Sequence, residues 1–187
     1  MSTAARHRAG AALPSPGQVA GQRAAGEGDT SSTAPPDLAA LAAQARDLAT
    51  RGYWLQGGLA LLCDCFGSAD PAKRDQGSWQ ADAMADLAER GALALDELAS
   101  ALDASPAGNA CPRAGLARQL APRGNWLRAG VALAAECFDS ADLARRALGA
   151  CLAEAMAEMA ERTAQALDEL ATSLEDARDE GQEGGRP

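Results

Sequence analysis

The sequence predicts an all-α protein, a four-helix bundle built from two tandem antiparallel helical hairpins. Hydrophobic residues make up 47% of the chain and much of that fraction is alanine, while aromatic residues make up only 3%. Alanine has the highest helix propensity, whereas sheets are rich in β-branched and aromatic side chains. Long segments also place apolar residues at alternating spacings of three and four, which is typical of the packed face of a helix. Finally, the sequence repeats itself at an offset of 72 residues.

The internal repeat consists of two blocks that recur at the same offset without a gap. Twelve of twenty aligned positions are identical in the first block, and eleven of fifteen in the second. A bias toward alanine would not align Trp54 with Trp126 or Phe66 with Phe138. Such self-similarity indicates that each copy folds as the same supersecondary unit. The aligned segments are 51–70 with 123–142, and 84–98 with 156–170.

Composition sets the predicted domain boundaries. Residues 1–36 and 178–187 contain few bulky apolar side chains, so burial cannot offset the entropy of ordering them, and both are predicted to be disordered tails. Between the tails we predict a helical hairpin over 37–104, a linker over 105–113 that contains two prolines, and a second hairpin over 114–177. Short connections within each hairpin force its helices to run antiparallel.

The first helix is predicted to begin after Asp37, which has the position of an N-cap residue. It is predicted to stop at Gly67, and Asp70 followed by Pro71 has the signature of a new helix start. A second row beside the apolar seam indicates that the buried face is broad. The seam positions are Leu38, Leu41, Ala45, Leu48, Gly52, Leu55, Leu59, Leu62 and Phe66, and the second row is Trp54, Gly58, Leu61 and Cys65.

The second helix of each hairpin carries a matching seam. In copy two, Pro122 aligns with Thr50, so we expect the first helix of that copy to kink or restart there and to be shorter than its counterpart. The seam of the second helices is Met84, Leu87, Gly91, Leu95, Leu98 and Leu102, mirrored by Met156, Met159, Thr163, Leu167, Leu170 and Leu174.

Charge and hydropathy exclude several classes of partner. The formal net charge is −9 and no stripe of lysine and arginine is present, so nucleic acid and anionic membrane surfaces are not expected partners. No segment approaches the roughly 20 apolar residues that a membrane span requires. The N-terminus lacks the continuous apolar region of a cleaved secretory signal. We therefore expect a cytoplasmic protein, or one secreted by a route that is independent of a signal peptide.

Catalytic and metal-binding patterns are missing from the sequence. The single histidine, His7, lies in the predicted tail, and neither a Glu-x-x-His pair nor a glycine-rich phosphate loop is present. We therefore expect no enzyme activity, no cofactor and no metal. Five cysteines at irregular spacing indicate reduced thiols, not a disulfide framework. Cys65 and Cys137 are repeat-equivalent and are interpreted as core residues, with metal or redox use as the alternative.

Three repeat-equivalent pairs are the candidate anchors of the core or of a partner. We predict that the tryptophans are core anchors, with a partner or ligand groove as the alternative. Because glycine is costly inside a helix, Gly52, Gly91 and Gly124 are interpreted as sockets for those rings. The candidate pairs are Trp54 with Trp126, Phe66 with Phe138, and Arg51 with Arg123.

Each copy resembles helical-hairpin proteins of Gram-negative bacteria, in which an Ala/Leu-rich helix is followed by a short acidic turn and a second helix. The second helix of those proteins ends in a pattern of alanine and leucine, which appears here as Ala94 to Leu98 and Ala166 to Leu170. The Ser/Ala/Gly/Pro-rich segment 1–36 also looks like the export leader of type III secretion substrates. Leader and bundle together are similar to secreted regulators of type III secretion, including those of anti-sigma type.

The leading functional hypothesis is a non-enzymatic bundle that binds another protein, in the regulation of transcription or of type III secretion, with a homodimer as a further assembly to consider. Helical faces and grooves commonly capture amphipathic partners. Two alternatives stay open. One is a bundle that holds a small apolar ligand between its helices, and the other is a coat protein of granules or lipid surfaces.

Overall fold

The structure is a computed structural model that describes residues 37–104 and 112–183. Those residues form four α-helices and no strand, which confirms the all-α prediction. The helices are α1 (Leu38–Phe66), α2 (Pro71–Asp103), α3 (Pro112–Phe138) and α4 (Leu143–Glu183).

The helix starts are set by aspartate caps. Asp37, Asp70 and Asp142 each accept a hydrogen bond from the backbone N–H two residues later, at 3.0, 3.0 and 2.9 Å. Inside each hairpin turn a serine hydroxyl, that of Ser68 or Ser140, accepts the N–H of the capping aspartate at 3.2 Å. Both turns are therefore short and alike, and each hairpin is antiparallel as predicted.

The four helices form a closed ring. α1 packs against α2 and α4, and α3 packs against the same two helices, so α1 and α3 run parallel on the diagonal. A pseudo-two-fold axis along the bundle relates the two copies. The most extensive interfaces are α1 with α4 and α2 with α3, which join one hairpin to the other. The copies are therefore intertwined and do not form separate units.

Glycine and alanine bring those inter-hairpin interfaces close together. A Cβ added to Gly52 would lie 2.9 Å from the Cβ of Ala164, and one added to Gly124 would lie 3.1 Å from the Cα of Ala92. The two contacts are repeat-equivalent. The prediction that these glycines are sockets for tryptophan is wrong, because what they admit is a neighbouring helix. A Cβ on Gly91 would meet no atom within 4 Å.

Ion pairs repeat along the same interfaces. The Arg46 Nε–H donates to Glu175 Oε1 at 2.9 Å, and its repeat equivalent, the Arg118 Nε–H, donates to Asp103 Oδ1 at 2.8 Å. The hydrogen bond from Arg46 lowers the pKa of the Glu175 carboxyl. Exposed pairs of this kind contribute little free energy, so we assign them a role in register.

The core has two layers, each built from all four helices. A leucine-rich layer lies toward the chain ends, and a layer that contains both phenylalanines lies toward the turns. Most of the predicted seam is buried in these layers, but the predicted second row is wrong in part, because Trp54 and Leu61 are exposed. The fully buried leucines are Leu59, Leu62, Leu98, Leu120, Leu167, Leu170 and Leu174.

Two predicted boundaries are corrected, and the expectation that the first helix of copy two is shorter than its counterpart is confirmed. α4 continues to Glu183, beyond the expected end of the second hairpin at 177, and α3 begins at Pro112, inside the expected linker. α3 also runs through Pro122 without restarting, and with 27 residues it is two shorter than the 29-residue α1. Leu120 and Leu127 on either side are buried, which holds the helix across the missing hydrogen bond. Residues 1–36, 105–111 and 184–187 lie outside the described residues, and with them the predicted N-terminal tail, most of the predicted linker and the end of the predicted C-terminal tail.

Candidate protein-binding faces

The two tryptophans lie on the surface, where Trp54 is 66% and Trp126 is 62% exposed. They are not core anchors. Each is followed seven residues later by a leucine that is also exposed, Leu61 at 61% and Leu133 at 42%. We call Trp54 with Leu61 the first Trp–Leu face, and Trp126 with Leu133 the second. Because α1 and α3 are diagonal, the two faces lie on opposite sides of the bundle.

Each face has a shape that suits a helical partner. Seven residues are two helical turns, which separates the tryptophan from the leucine by about 10 Å along the axis. Between them the first face carries Gly57, where an added Cβ would meet no atom within 4 Å, and the second carries the exposed Ala129. Two bulky apolar side chains thus flank a small residue, an arrangement that can accept a ridge of side chains from another helix.

Charged side chains border each face. Arg51 lies three residues before Trp54 and forms an ion pair with Asp47 at 2.6 Å. In copy two, Gln119 takes the place of Asp47. Arg123, the equivalent of Arg51, therefore lacks that partner and forms no ion pair with another described residue. A cleft of about 290 Å³ beside the second face is lined by Arg123, Trp126, Ala155, Glu158, Met159 and Arg162. The unpaired Arg123 therefore distinguishes the second face from the first.

The two predicted phenylalanines lie in the core. Phe66 is 5% and Phe138 is 8% exposed, and their ring centroids are 4.9 Å apart with an interplanar angle of 67°. This edge-to-face pair lies at the turn end of the bundle, near the pseudo-two-fold axis. Both rings are almost wholly buried, so of the six candidate residues only the tryptophans and the arginines offer an accessible side chain to a protein partner.

Leu61 is predicted from the sequence to lie in the buried second row, and Leu133 is not among the predicted site residues, so neither leucine is anticipated on an exposed face. The available signal was the identity of Leu61 and Leu133 within an aligned block, seven residues after an aligned tryptophan. Trp79 is a third exposed tryptophan, at 75%, but its repeat equivalent is Cys151, so it belongs to no duplicated surface.

The described cysteines differ in accessibility. Cys65 and Cys137 are buried, Cys151 is exposed, and Cys63 is half-buried with its thiol donating to the Ala150 carbonyl at 3.7 Å. Burial raises the pKa of the Cys63 thiol. No group of three or more histidine, cysteine, aspartate or glutamate side chains in the described ranges is placed to hold a metal ion.

We expect alkylation to follow this order of accessibility. In a Cys111→Ser variant treated with iodoacetamide, Cys151 should react first and Cys63 more slowly, because the thiolate is the nucleophile and the pKa of Cys63 is raised. Cys65 and Cys137 should react only on unfolding. Mass spectrometry of peptides over time measures the order, and the rate at Cys63 should rise with pH. Early modification of Cys137 would contradict the packing of the core.

None of the helices in the described ranges combines the length and the apolarity that crossing a bilayer requires. Comparison with family models, with curated proteins and with solved structures finds no match to this chain. The relationship to anti-sigma-type regulators stays a prediction from the sequence.

Proposed function

We propose that this chain is a non-enzymatic helical module that binds another protein through its two Trp–Leu faces. The observation that carries the proposal is the exposure of four large apolar side chains at repeat-equivalent positions. Single exposed apolar residues need no explanation, but a duplicated pattern does. Tryptophan is the side chain most enriched among the energetic centres of protein interfaces.

The partner that fits each face is an amphipathic helix. Its apolar side would cover the tryptophan and the leucine and place a ridge over Gly57 or Ala129, as helices do in grooves. The chain carries a formal net charge of −9, which favours association with a positively charged partner and speeds the encounter. Two equivalent faces on opposite sides would bind two such helices, from two molecules or from one two-fold symmetric partner.

A ligand inside the bundle has less support. The apolar cavity at mid-height, bordered by Leu55, Gly91 and Leu95, has a volume of about 30 Å³. This is about the volume that one water molecule occupies, whereas ligand pockets measure roughly 300–1,000 Å³. The faces outside the bundle therefore support the proposal better than its interior.

We place this binding in regulation by sequestration, of a transcription factor or of a component of type III secretion. The support is the resemblance of the sequence to regulators of that kind, together with the lack of catalytic patterns in the sequence. Binding a helix of a regulatory protein through a face such as this would withhold that helix from its own target.

The test is co-purification from the native cell with matched variants. The parent chain should recover a stoichiometric protein partner, and Trp54→Ala combined with Trp126→Ala should lose it. Truncating a central tryptophan costs about 2 kcal/mol or more, which weakens binding at least about 30-fold at each face. Trp79→Ala is the control, because it removes an equally exposed tryptophan outside the faces.

Two results would count against the proposal. One is a partner that binds the double variant as tightly as it binds the parent. The other is concentration-dependent self-association in sedimentation analysis that Trp54→Ala and Trp126→Ala abolish, since the faces would then join copies of this chain. Higher salt should slow association with a basic partner, and a rate that does not depend on salt would exclude the proposed charge complementarity.

A further inference from the structure

Two clefts open at the turn end of the bundle, away from the Trp–Leu faces, and they are repeat-equivalent. The first, of about 530 Å³, lies between the α1–α2 turn and the start of α4, and the second, of about 500 Å³, lies between the α3–α4 turn and the start of α2. Arg74 and Arg146, which are themselves repeat-equivalent, line both clefts. Phe66 lines both clefts, whereas Phe138 lines only the second.

The clefts differ in charge because the two copies have diverged at three positions. The second cleft contains two carboxylates and a serine whose hydroxyl donates to one of them at 3.0 Å. In the first cleft each of these side chains is replaced by glycine or alanine. The aligned positions are Asp139 with Gly67, Asp75 with Ala147, and Ser78 with Ala150. The same two arginines thus face carboxylates on one side and no acidic group of the cleft lining on the other.

The arginines themselves are incompletely satisfied. Neither Arg74 nor Arg146 forms an ion pair with a described residue, although at least five other arginines in the described ranges do so across or along the helices. The Nε of Arg146 is buried and lacks a hydrogen-bond partner among the described residues. A buried donor without a hydrogen bond costs about 1–3 kcal/mol of stability, and more if the group is charged. The positive charge of Arg146 therefore has no ion-pair partner among the described residues.

We propose that the first cleft binds a small organic anion in which a carboxylate is attached to an apolar group. The carboxylate would accept from the guanidinium groups of Arg74 and Arg146, whose planar donors match its geometry. The apolar group would lie against Phe66, Ala147 and the 73%-exposed Leu143. In the second cleft Asp75 and Asp139 already supply the negative charge, so that cleft binds no anion.

Titration of the full-length chain by NMR, with 4-phenylbutanoate as the probe, tests this proposal. The parent should bind saturably, with amide shifts concentrated at Ser68, Arg146 and Ala147. Neutral 4-phenylbutanol and cationic 4-phenylbutylammonium separate the contribution of charge from that of the ring, and both should bind at least about tenfold more weakly, a difference of about 1.4 kcal/mol.

Four variants locate the site. Arg146→Gln removes one of the two guanidinium groups that line the cleft, and Ala147→Asp keeps both arginines while giving the first cleft a carboxylate of the second, so each should weaken binding at least about tenfold. Arg145→Gln, which changes the same charge on an exposed neighbour outside both clefts, should leave binding unchanged. Asp75→Ala with Asp139→Gly makes the second cleft resemble the first and should add a second set of shifts there.

The cleft in which the amide shifts appear decides between the outcomes. The proposal is supported if the parent binds the probe only in the first cleft and Ala147→Asp loses that binding. It is supported further if Asp75→Ala with Asp139→Gly adds a second set of amide shifts in the second cleft. It is overturned by an absence of saturable binding, by equal binding of the alcohol, by equal shifts in both clefts of the parent, or by an equal loss in Arg145→Gln. The circular-dichroism melt of each variant confirms that it is folded, and because residue 147 is exposed, Ala147→Asp keeps the test decisive if Arg146→Gln unfolds.

Discussion

Replacing Leu95 by aspartate is expected to unfold the bundle, whereas the same replacement at Leu93, two residues earlier on α2, should leave it folded. Leu95 is 6% exposed and its Cδ1 lies against Gly124 of α3, while Leu93 is 57% exposed. An unpaired carboxylate at Leu95 would lose the burial of the leucine and place a charge in an apolar environment. We expect the free energy of unfolding to fall by about 4 kcal/mol or more, a large part of the total for a domain of this size.

Urea and thermal melts followed by circular dichroism at 222 nm measure the difference. Leu93→Asp should stay within about 0.5 kcal/mol of the parent, as surface substitutions do. Leu167→Asp, the repeat equivalent of Leu95→Asp, should behave like it because Leu167 is 2% exposed. If the Leu95 and Leu93 variants melt together, the helical register described for α2 is wrong.

Alanine at Gly77 is expected to destabilise the protein, although alanine is a better helix former than glycine. A Cβ there would lie 2.7 Å from the Cβ of Cys65 and would press on the ring of Phe138. Those neighbours are buried, so they must shift, and overpacking of this kind costs about 1–3 kcal/mol. The gain of about 1 kcal/mol in helix propensity offsets only part of that cost.

Gly57 provides the control on α1. A Cβ there would meet no atom within 4 Å, so Gly57→Ala should stabilise the protein by about 0.5–1 kcal/mol. Gly149, the repeat equivalent of Gly77, faces Phe66 and Cys137 in the same way, with the Cys137 Cβ at 2.7 Å. Gly77→Ala and Gly149→Ala should couple non-additively, since they act on one pair of rings. Chemical denaturation of the three variants checks the signs, and stabilisation by Gly77→Ala would contradict the packing at the turns.

The arrangement of the helices could be predicted because their leucines recur at fixed spacings and their turns carry recognisable caps. Leu59 and Leu62 lie on the seam and are buried, and Asp37 and Asp70 cap the helices that they precede. Helical spacing fixes the angle of a residue around its helix. That angle is sufficient to identify the centre of the buried face, which is why most of the predicted seam is buried.

The width of the buried face could not be predicted in the same way, because it depends on how closely the helices approach. Gly52 and Ala164 let α1 and α4 come close together, and Trp54 and Leu61 of the row beside the seam lie outside the core. Trp54 and Trp126 belong to that row, so their size suggested burial while their position makes them exposed. The clefts at the turns could not be predicted from the sequence either, because they form where the end of α1 meets the start of α4 from the other copy.

The closest interfaces join hairpin to hairpin, which has a consequence for the history of the chain. A protein of a single hairpin would build this same bundle by pairing with a second copy of itself, and every inter-hairpin contact would then occur twice by symmetry. In such a dimer any mutation changes both clefts at once. Fusion of the two copies into one polypeptide removes that constraint, so Gly67 and Asp139 can differ, and a symmetric ancestor can acquire one site instead of two.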